Sequence, residues 1–141
     1  MLKQGCMYCD EVCAHRDSLM IKICDFKQGT LYLFRDQKNR GRCILAAKEH
    51  YTDLTEMAPD DLHEFWDEVV MVANAIHRGF SPDKINYGSY ADTVKHLHIH
   101  IVPKYIDGPN WNGPFSDANP KYLSDEEYKE IIEIFKKELS I

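Results

Sequence analysis

Three histidines stand at alternate positions in the stretch His96-Leu97-His98-Ile99-His100-Ile101-Val102. Imidazole can bind a metal, move a proton near neutral pH or attack phosphorus as a nucleophile. In an extended chain the three rings leave one face, while Leu97, Ile99 and Ile101 leave the other. Second-neighbour side chains on a strand lie roughly 6–7 Å apart, so the rings can serve one substrate or divide between two adjacent sites. A strand that is simply polar on one side has the same pattern without any chemistry. Three imidazoles around a metal with one open position for water are a further reading.

A second group lies near the N-terminus. Cys6-Met7-Tyr8-Cys9 has the C-x2-C spacing with which two thiolates clamp tetrahedral zinc, and such a site needs two more ligands. Cys13 and His15 are near enough in sequence to complete a local knuckle. Alternatively, His50 and one histidine of the strand reach the pair through the fold; spacing alone does not choose. A thioredoxin-like redox pair belongs where a strand hands over to a helix, which this segment does not provide. The five cysteines are odd in number and crowded toward one end, which suits a reducing compartment better than a disulfide framework. Cys24 and Cys43 read as small buried hydrophobes.

Among the three rings, His98 is central and is the candidate nucleophile, with His100 and Thr93 as its nearest assistants. A metal-bound His96 would be tied down beside it. Arg42, Lys95 and Lys104 either add positive potential at a phosphate entrance or stand solvated on the surface. Tyr32 and Phe34 line a base pocket or pack in the core. Trp111 closes over a pocket or anchors the tail, and His63 and His77 take surface or capping roles.

The elements that must position these groups follow from periodicity. Ser18–Phe26 and Thr30–Phe34 read as strands around a Lys27-Gln28-Gly29 turn, and Cys43–Ala47 as a third. The polar run Asp36–Arg42 is a hairpin loop or a ligand-facing connection. Leu62, Phe65, Trp66, Val69, Val70, Ala73 and Ile76 then recur at helical spacing over Asp61–His77. Pro59 and the early acids suit its start, and Gly79 and Pro82 its stop. A short strand over Ile85–Gly88 precedes the histidine strand at 96–102. The following stretch is polar, aromatic and broken by glycine and proline. Ser124 and Glu127 form a capping box for a last helix, whose apolar face is Tyr128, Ile131, Ile132, Phe135 and Leu139. That order describes one α+β domain over residues 1–141, without a dinucleotide-binding glycine fingerprint or a P-loop.

Bulk properties agree. The 141 residues are 44% hydrophobic, 28% charged and 11% aromatic, enough for one soluble core and too ordered in composition for a disordered chain. A formal charge of −6 argues against broad binding to a nucleic-acid backbone, but a nucleotide needs only local positive potential. No apolar run is long enough to span a bilayer, and the N-terminus lacks a signal peptide's apolar segment, so a cytoplasmic location is expected.

The run Thr93-Val94-Lys95-His96-Leu97-His98-Ile99-His100-Ile101-Val102-Pro103 closely resembles the signature of the histidine triad family. Upstream, Asp36, the strand Cys43–Ala47 with His50, the long helix and Asn86-Tyr87-Gly88 follow the same order, so the resemblance covers most of residues 4–105. It implies an antiparallel sheet packed with a long central helix and a C-terminal helix. It also implies enzymes that split nucleoside phosphoryl compounds at the α-phosphorus. His98 Nε2 would be the nucleophile, forming a nucleotidyl-imidazole that water resolves. His100 and Thr93 would meet phosphate oxygens or the scissile bridge, Asp36 the ribose hydroxyls, and Asn86 the phosphate end. Members with the C-x2-C prefix hold structural zinc with two cysteines, an upstream histidine and the first triad histidine: here Cys6, Cys9, His50 and His96. A homodimer with sheets joined across a two-fold axis is implied as well.

Two departures bear on the substrate. Asp92 stands where the dinucleoside-polyphosphate hydrolase branch commonly has glutamine, adding a carboxylate beside phosphate. His100 stands where the uridylyltransferase branch has glutamine, favouring hydrolysis or phosphoramidate cleavage over sugar-nucleotide transfer. The competing expectation is a zinc-stabilised nucleotide-binding or partner-binding module with little turnover. Retention of all three histidines favours the enzyme.

Overall fold

A computed structural model describes residues 1–141. Its sheet has five antiparallel strands: β1 (Met20–Asp25), β2 (Gly29–Phe34), β3 (Cys43–Ala47), β4 (Lys84–Gly88) and β5 (His98–Lys104). They lie in the order β1-β2-β3-β5-β4, so the histidine strand is interior and β4 is an edge. The helices are α1 (Ala14–Leu19), α2 (Pro59–Phe80) and α3 (Asp125–Leu139), with a 3-10 turn at Leu54–Glu56. No helix is long and apolar enough to cross a membrane.

One face of the sheet meets α2 and α3. Alternation sends Leu31, Leu33, Cys43, Leu45, Ile85, Ile99 and Ile101 to that side, where Phe65, Val69, Val72 and Ile76 of α2 and Ile131 and Phe135 of α3 close the core. Burying each of these aliphatic or aromatic side chains contributes about 1.5–3 kcal/mol. The expected capping box of α3 is present, Ser124 accepting from the Glu127 amide and the Glu127 carboxylate from the Ser124 amide.

Several expected boundaries move. Ser18 and Leu19 belong to α1, whose N-cap Cys13 accepts from the Arg16 amide, so the first strand starts at Met20. Helix α2 starts at Pro59, its first helical residue, and runs through Gly79 to Phe80; Ser81 ends it in the left-handed region at φ 48°. Trp66 and Val70 face outward, 37% and 56% exposed, because the core stripe of α2 is narrower than its apolar sequence. The histidine strand starts at His98 and runs on through Pro103, which lies beyond the last β3 pairing at Cys43↔Ile101, where a strand tolerates proline.

His96 and Leu97 precede β5 but continue its pairing: the Leu97 amide donates to Tyr51 O and the Ala47 amide to Leu97 O. That continuation brings His50 beside His96. Gly41, at φ 94°, makes the turn into β3; a Cβ there would stand 3.2 Å from Phe80 and Pro103 as well as being strained.

Candidate functional site

The face opposite the helices carries Ile44, Ala46, His98, His100 and Lys104, placed by the register pairs Ile44↔His100 and Ala46↔His98. Only Met20, Tyr32, Ile44 and Ala46 form a small apolar cluster here, with Met7, Tyr8, Leu19 and Phe34 against it. Two irregular segments cover the rest: the N-terminal loop with the cysteines, and a strap formed by residues 105–123.

The N-terminal loop brings Cys6 and Cys9 to His50 and His96. His96 Nδ1 lies 3.3 Å from Cys6 Sγ, 3.4 Å from Cys9 Sγ and 3.1 Å from His50 Nδ1. All four ligand atoms fall within 4.8 Å of one another. Bonds of about 2.3 Å to sulfur and 2.0–2.1 Å to nitrogen put tetrahedral ligand atoms roughly 3.3–3.8 Å apart, so the cage has the size for zinc. Its protonation fits too: His96 Nε2 lies 2.6 Å from the Ala47 carbonyl, which only accepts, so Nε2 carries the proton and Nδ1 turns its lone pair into the cage. The chain therefore has a Cys6/Cys9/His50/His96 cluster suited to structural zinc, with no protein ligand position left open. Cys13 caps α1 instead, and His15 is exposed.

Arg16, which sequence reasoning passed over, holds this loop. The residue is 8% exposed, and its guanidinium donates to the carbonyls of Met7 at 3.0 Å, Asp10 at 2.6 Å and Glu11 at 3.1 Å. Tyr8, between the two cysteines, was also missed as a site residue. Its ring centroid is 5.2 Å from that of His96 and 5.1 Å from that of His98, so the metal loop forms a wall over the central histidine. Tyr8 carries no spacing signal of its own.

His98 is 7% exposed, and its Nδ1 lies 2.6 Å from the His96 carbonyl. The carbonyl again requires a donor, so Nδ1 holds the proton and Nε2 keeps a free lone pair. Burial lowers the pKa of this imidazole and keeps it neutral.

His100 has the opposite tautomer. Arg42 Nη2 stands 3.2 Å from its Nδ1, and a guanidinium can only donate, so the His100 proton is on Nε2. Burial first, then the Arg42 charge, push its pKa down to about 3. Phe34 and Phe115 enclose the ring at 5.9 and 5.8 Å. The expectation of a solvated surface residue fails for Arg42, which is fully buried, and for Lys104, which is 2% exposed and donates to Asn86 Oδ1 and to the Gly113 carbonyl. Lys104 is turned inward on β5, and Arg42, just before β3, is turned inward against the strap.

The other predicted residues are spread around this centre. Asp36 is buried; its Oδ1 accepts from the Lys38 and Lys121 amides, and Oδ2 has no hydrogen-bond partner, with the Lys38 ammonium 3.6 Å away. It borders a cavity of about 180 Å³ with Leu19, Phe34, Asp117, Pro120 and Tyr122. Asn86 lies with Lys104 and Trp111 on a larger cavity, about 370 Å³, toward β4. Thr93 is exposed and lines a third, about 390 Å³, with Lys3, His15, His50 and Lys95 on the metal side. Thus His98, His100 and Arg42 are gathered in one cluster, while Asp36, Asn86 and Thr93 border three cavities.

The family model of the HIT domain matches residues 20–107, from β1 to just beyond β5. The chain belongs to the HIT family. The HIT chain is 24% identical over 129 residues to the protein Hit of Bacillus subtilis strain 168, covering 85% of this chain and 88% of that one. Solved HIT structures share its fold. A histidine triad protein from Sinorhizobium meliloti 1021 superposes with a TM-score of 0.83 at 21% identity, covering 94% of this chain and 98% of that one. A zinc-bound histidine triad family protein from Mycobacterium smegmatis gives 0.62 at 20% identity, covering 89% and 88%. The HIT match spans β1 to β5 but not Cys6 and Cys9, so the metal cluster of this HIT chain rests on its own geometry.

Proposed function

We propose that this HIT protein is a nucleotide hydrolase or nucleotidyl-transfer enzyme that cleaves at the α-phosphorus of a dinucleoside polyphosphate or nucleoside phosphoramidate. The observation that carries this reading is the hydrogen bond of His98 Nδ1 to the His96 carbonyl, which leaves Nε2 unprotonated on a buried, fixed ring. In the first step the Nε2 lone pair forms a bond to the α-phosphorus, and the bond to the leaving group breaks with its electron pair. The leaving group takes a proton from solvent. The imidazole keeps its Nδ1 proton on the His96 carbonyl, which stabilises the positive charge of the intermediate. In the second step water attacks the same phosphorus, the phosphorus–nitrogen pair returns to Nε2, and a nucleoside monophosphate and a proton are released.

His100 donates from Nε2 to a phosphoryl oxygen whose charge grows as the reaction proceeds. Thr93 is assigned to the bridge or phosphate from the metal side, Asn86 to the phosphate end, and Asp36 to the ribose hydroxyls through Oδ2. Zinc, when bound, supplies cross-linking of the loop and not a reacting oxygen, because four protein ligands fill its coordination. A homodimer is part of the same reading, supported by the edge position of β4 with exposed Tyr87 and by exposed Trp66, Val70 and Met71 on α2. Light scattering of the purified chain reads it directly.

Turnover is tested with a panel of adenosine and guanosine phosphoramidates and dinucleoside polyphosphates. His98→Ala is expected to lower kcat on the order of 10⁴-fold or more and to abolish the nucleotidyl adduct, read by mass analysis kept at neutral to alkaline pH because the phosphorus–nitrogen bond is acid-labile. Equal activity in the variant refutes covalent catalysis. Absence of activity in both proteins favours a binding module with little turnover.

A further inference from the structure

Arg42 is fully buried, yet its charge is poorly answered. Nη2 donates to Asp117 Oδ1 at 2.9 Å and meets His100 Nδ1 at 3.2 Å, whereas Nε and Nη1 have no hydrogen-bond partner at all. The guanidinium faces are packed by aromatic rings, Phe34 at 4.3 Å and Phe115 at 5.1 Å from Cζ. Those rings lie against the guanidinium, and Asp117 meets it at Nη2.

Asp117 is a weak partner for such a group. Its side chain is 78% exposed, against 0% for Arg42, and it contributes one oxygen where a guanidinium can take two in parallel. It comes from the strap, a segment without helix or strand. Leaving buried donors unpaired is costly, more so for a charged group. A tetrahedral oxyanion has the extra oxygens that one carboxylate oxygen lacks.

We infer that Arg42, with His100 beside it, forms an anion subsite for a phosphoryl group of the substrate, and that Asp117 is a resident carboxylate which substrate phosphate displaces. This rests on the reading of His98 as the centre of a phosphoryl-transfer site, and it adds a residue that neither the triad signature nor the metal cluster contains. Arg42 then acts twice: it holds His100 in the Nε2–H tautomer, and it binds the anion. Displacing Asp117 frees the strap at that point, although the Gln37 amide still donates to the Lys121 carbonyl and the Lys121 amide to Asp36 Oδ1.

The test measures calorimetric Kd values of the full-length protein for AMP and for adenosine, the phosphate-free control. Wild type is expected to prefer AMP. Arg42→Met is expected to lose about tenfold to a hundredfold of that preference, the range for hydrogen bonds to a charged group. Asp117→Asn should tighten AMP severalfold and leave adenosine unchanged, because the competing carboxylate is neutralised. In the double variant that gain should vanish, which separates displacement from a general change of charge. Arg42→Lys, which keeps the charge, covers the case in which Arg42→Met does not fold; it should retain part of the preference.

Wild type binding AMP no better than adenosine overturns the inference. So does an Asp117→Asn gain that persists without Arg42, or an AMP preference indifferent to both Arg42 variants. The same titrations in His98→Ala keep the two readings apart. Phosphate preference there without any covalent adduct in wild type supports the subsite and sinks covalent turnover. An adduct in wild type with no effect at positions 42 and 117 does the reverse.

Discussion

The two faces of the sheet are built on different principles. Behind it, β-strand alternation meets two amphipathic helices, and Phe65, Ile76, Ile131 and Phe135 are sealed in a continuous apolar core. In front, four apolar residues form the only compact cluster, and the cover consists of the cysteine loop and the strap. The buried polar atoms without partners make the contrast sharper. Arg42, Asp36 and Asn39 belong to the front or its flanking β2–β3 connection, and the one on the back, Glu68 Oε2, has its sister oxygen bonded to the Gln28 amide. The back leaves one such atom unpartnered, whereas the front and its flanking connection leave five. The difference teaches that stability and chemistry are separable here by the direction a strand residue points.

That separation can be broken by substitution. The largest effect on stability should come from Phe135→Ala, which empties a fully buried position beside Phe80. Denaturant titration is expected to show a loss of about 3–5 kcal/mol, with the zinc stoichiometry of the folded fraction unchanged. Zinc loss in that variant would show that the faces are not independent.

Next comes Cys9→Ala, on the front. Elemental analysis should find the metal gone, and with it the stabilisation that ligand binding supplies, about 2.7 kcal/mol at a free zinc concentration a hundredfold above Kd. An unchanged metal load would refute Cys6, Cys9, His50 and His96 as the ligand set.

Acidification gives a graded effect, spread over several pH units. The folded pKa of His100 is held at about 3, below the ordinary value of 6.5. Its contribution is therefore fully present above about pH 6.5 and is lost as the pH falls toward 3, because the unfolded chain binds the proton that the folded site refuses. His100→Gln, which keeps an acceptor for Arg42, should flatten the pH dependence of unfolding in that window. An identical slope in the variant would assign acid sensitivity elsewhere.

The smallest change is Ser124→Ala at the α3 cap, expected to cost about 1 kcal/mol on the back with no effect on nucleotide affinity. Isothermal denaturation and the same calorimetry read both halves of that statement.

Sequence legibility follows the same division. The back was readable because its signals are local: short apolar runs bounded by turn residues in β2 and β3, helical spacing in α2 and α3, and a capping box four residues long. The triad was readable as a strand face, and the metal cluster through its family resemblance. Tyr8 and Arg16 were not, and Arg42 was readable only as one of three cations at a phosphate entrance, because each acquires its role from a partner without a local pattern. Arg42 meets Asp117 across 75 residues, and nothing in Gly41-Arg42-Cys43 announces a strap that will bury it. Tyr8 reads as a spacer between cysteines until the loop folds over His98. The helix α1 was missed for a simpler reason: six residues are too few for periodicity to emerge.

The separation of the zinc ligands along the chain also has a consequence in time. Cys6 and His96 are 90 residues apart. At about 5–20 residues per second, a ribosome needs roughly 5–20 s to make the histidine after the cysteines have been joined. For that interval the nascent thiols have no cage to enter, and they are exposed to whatever oxidants or competing metals surround the emerging chain.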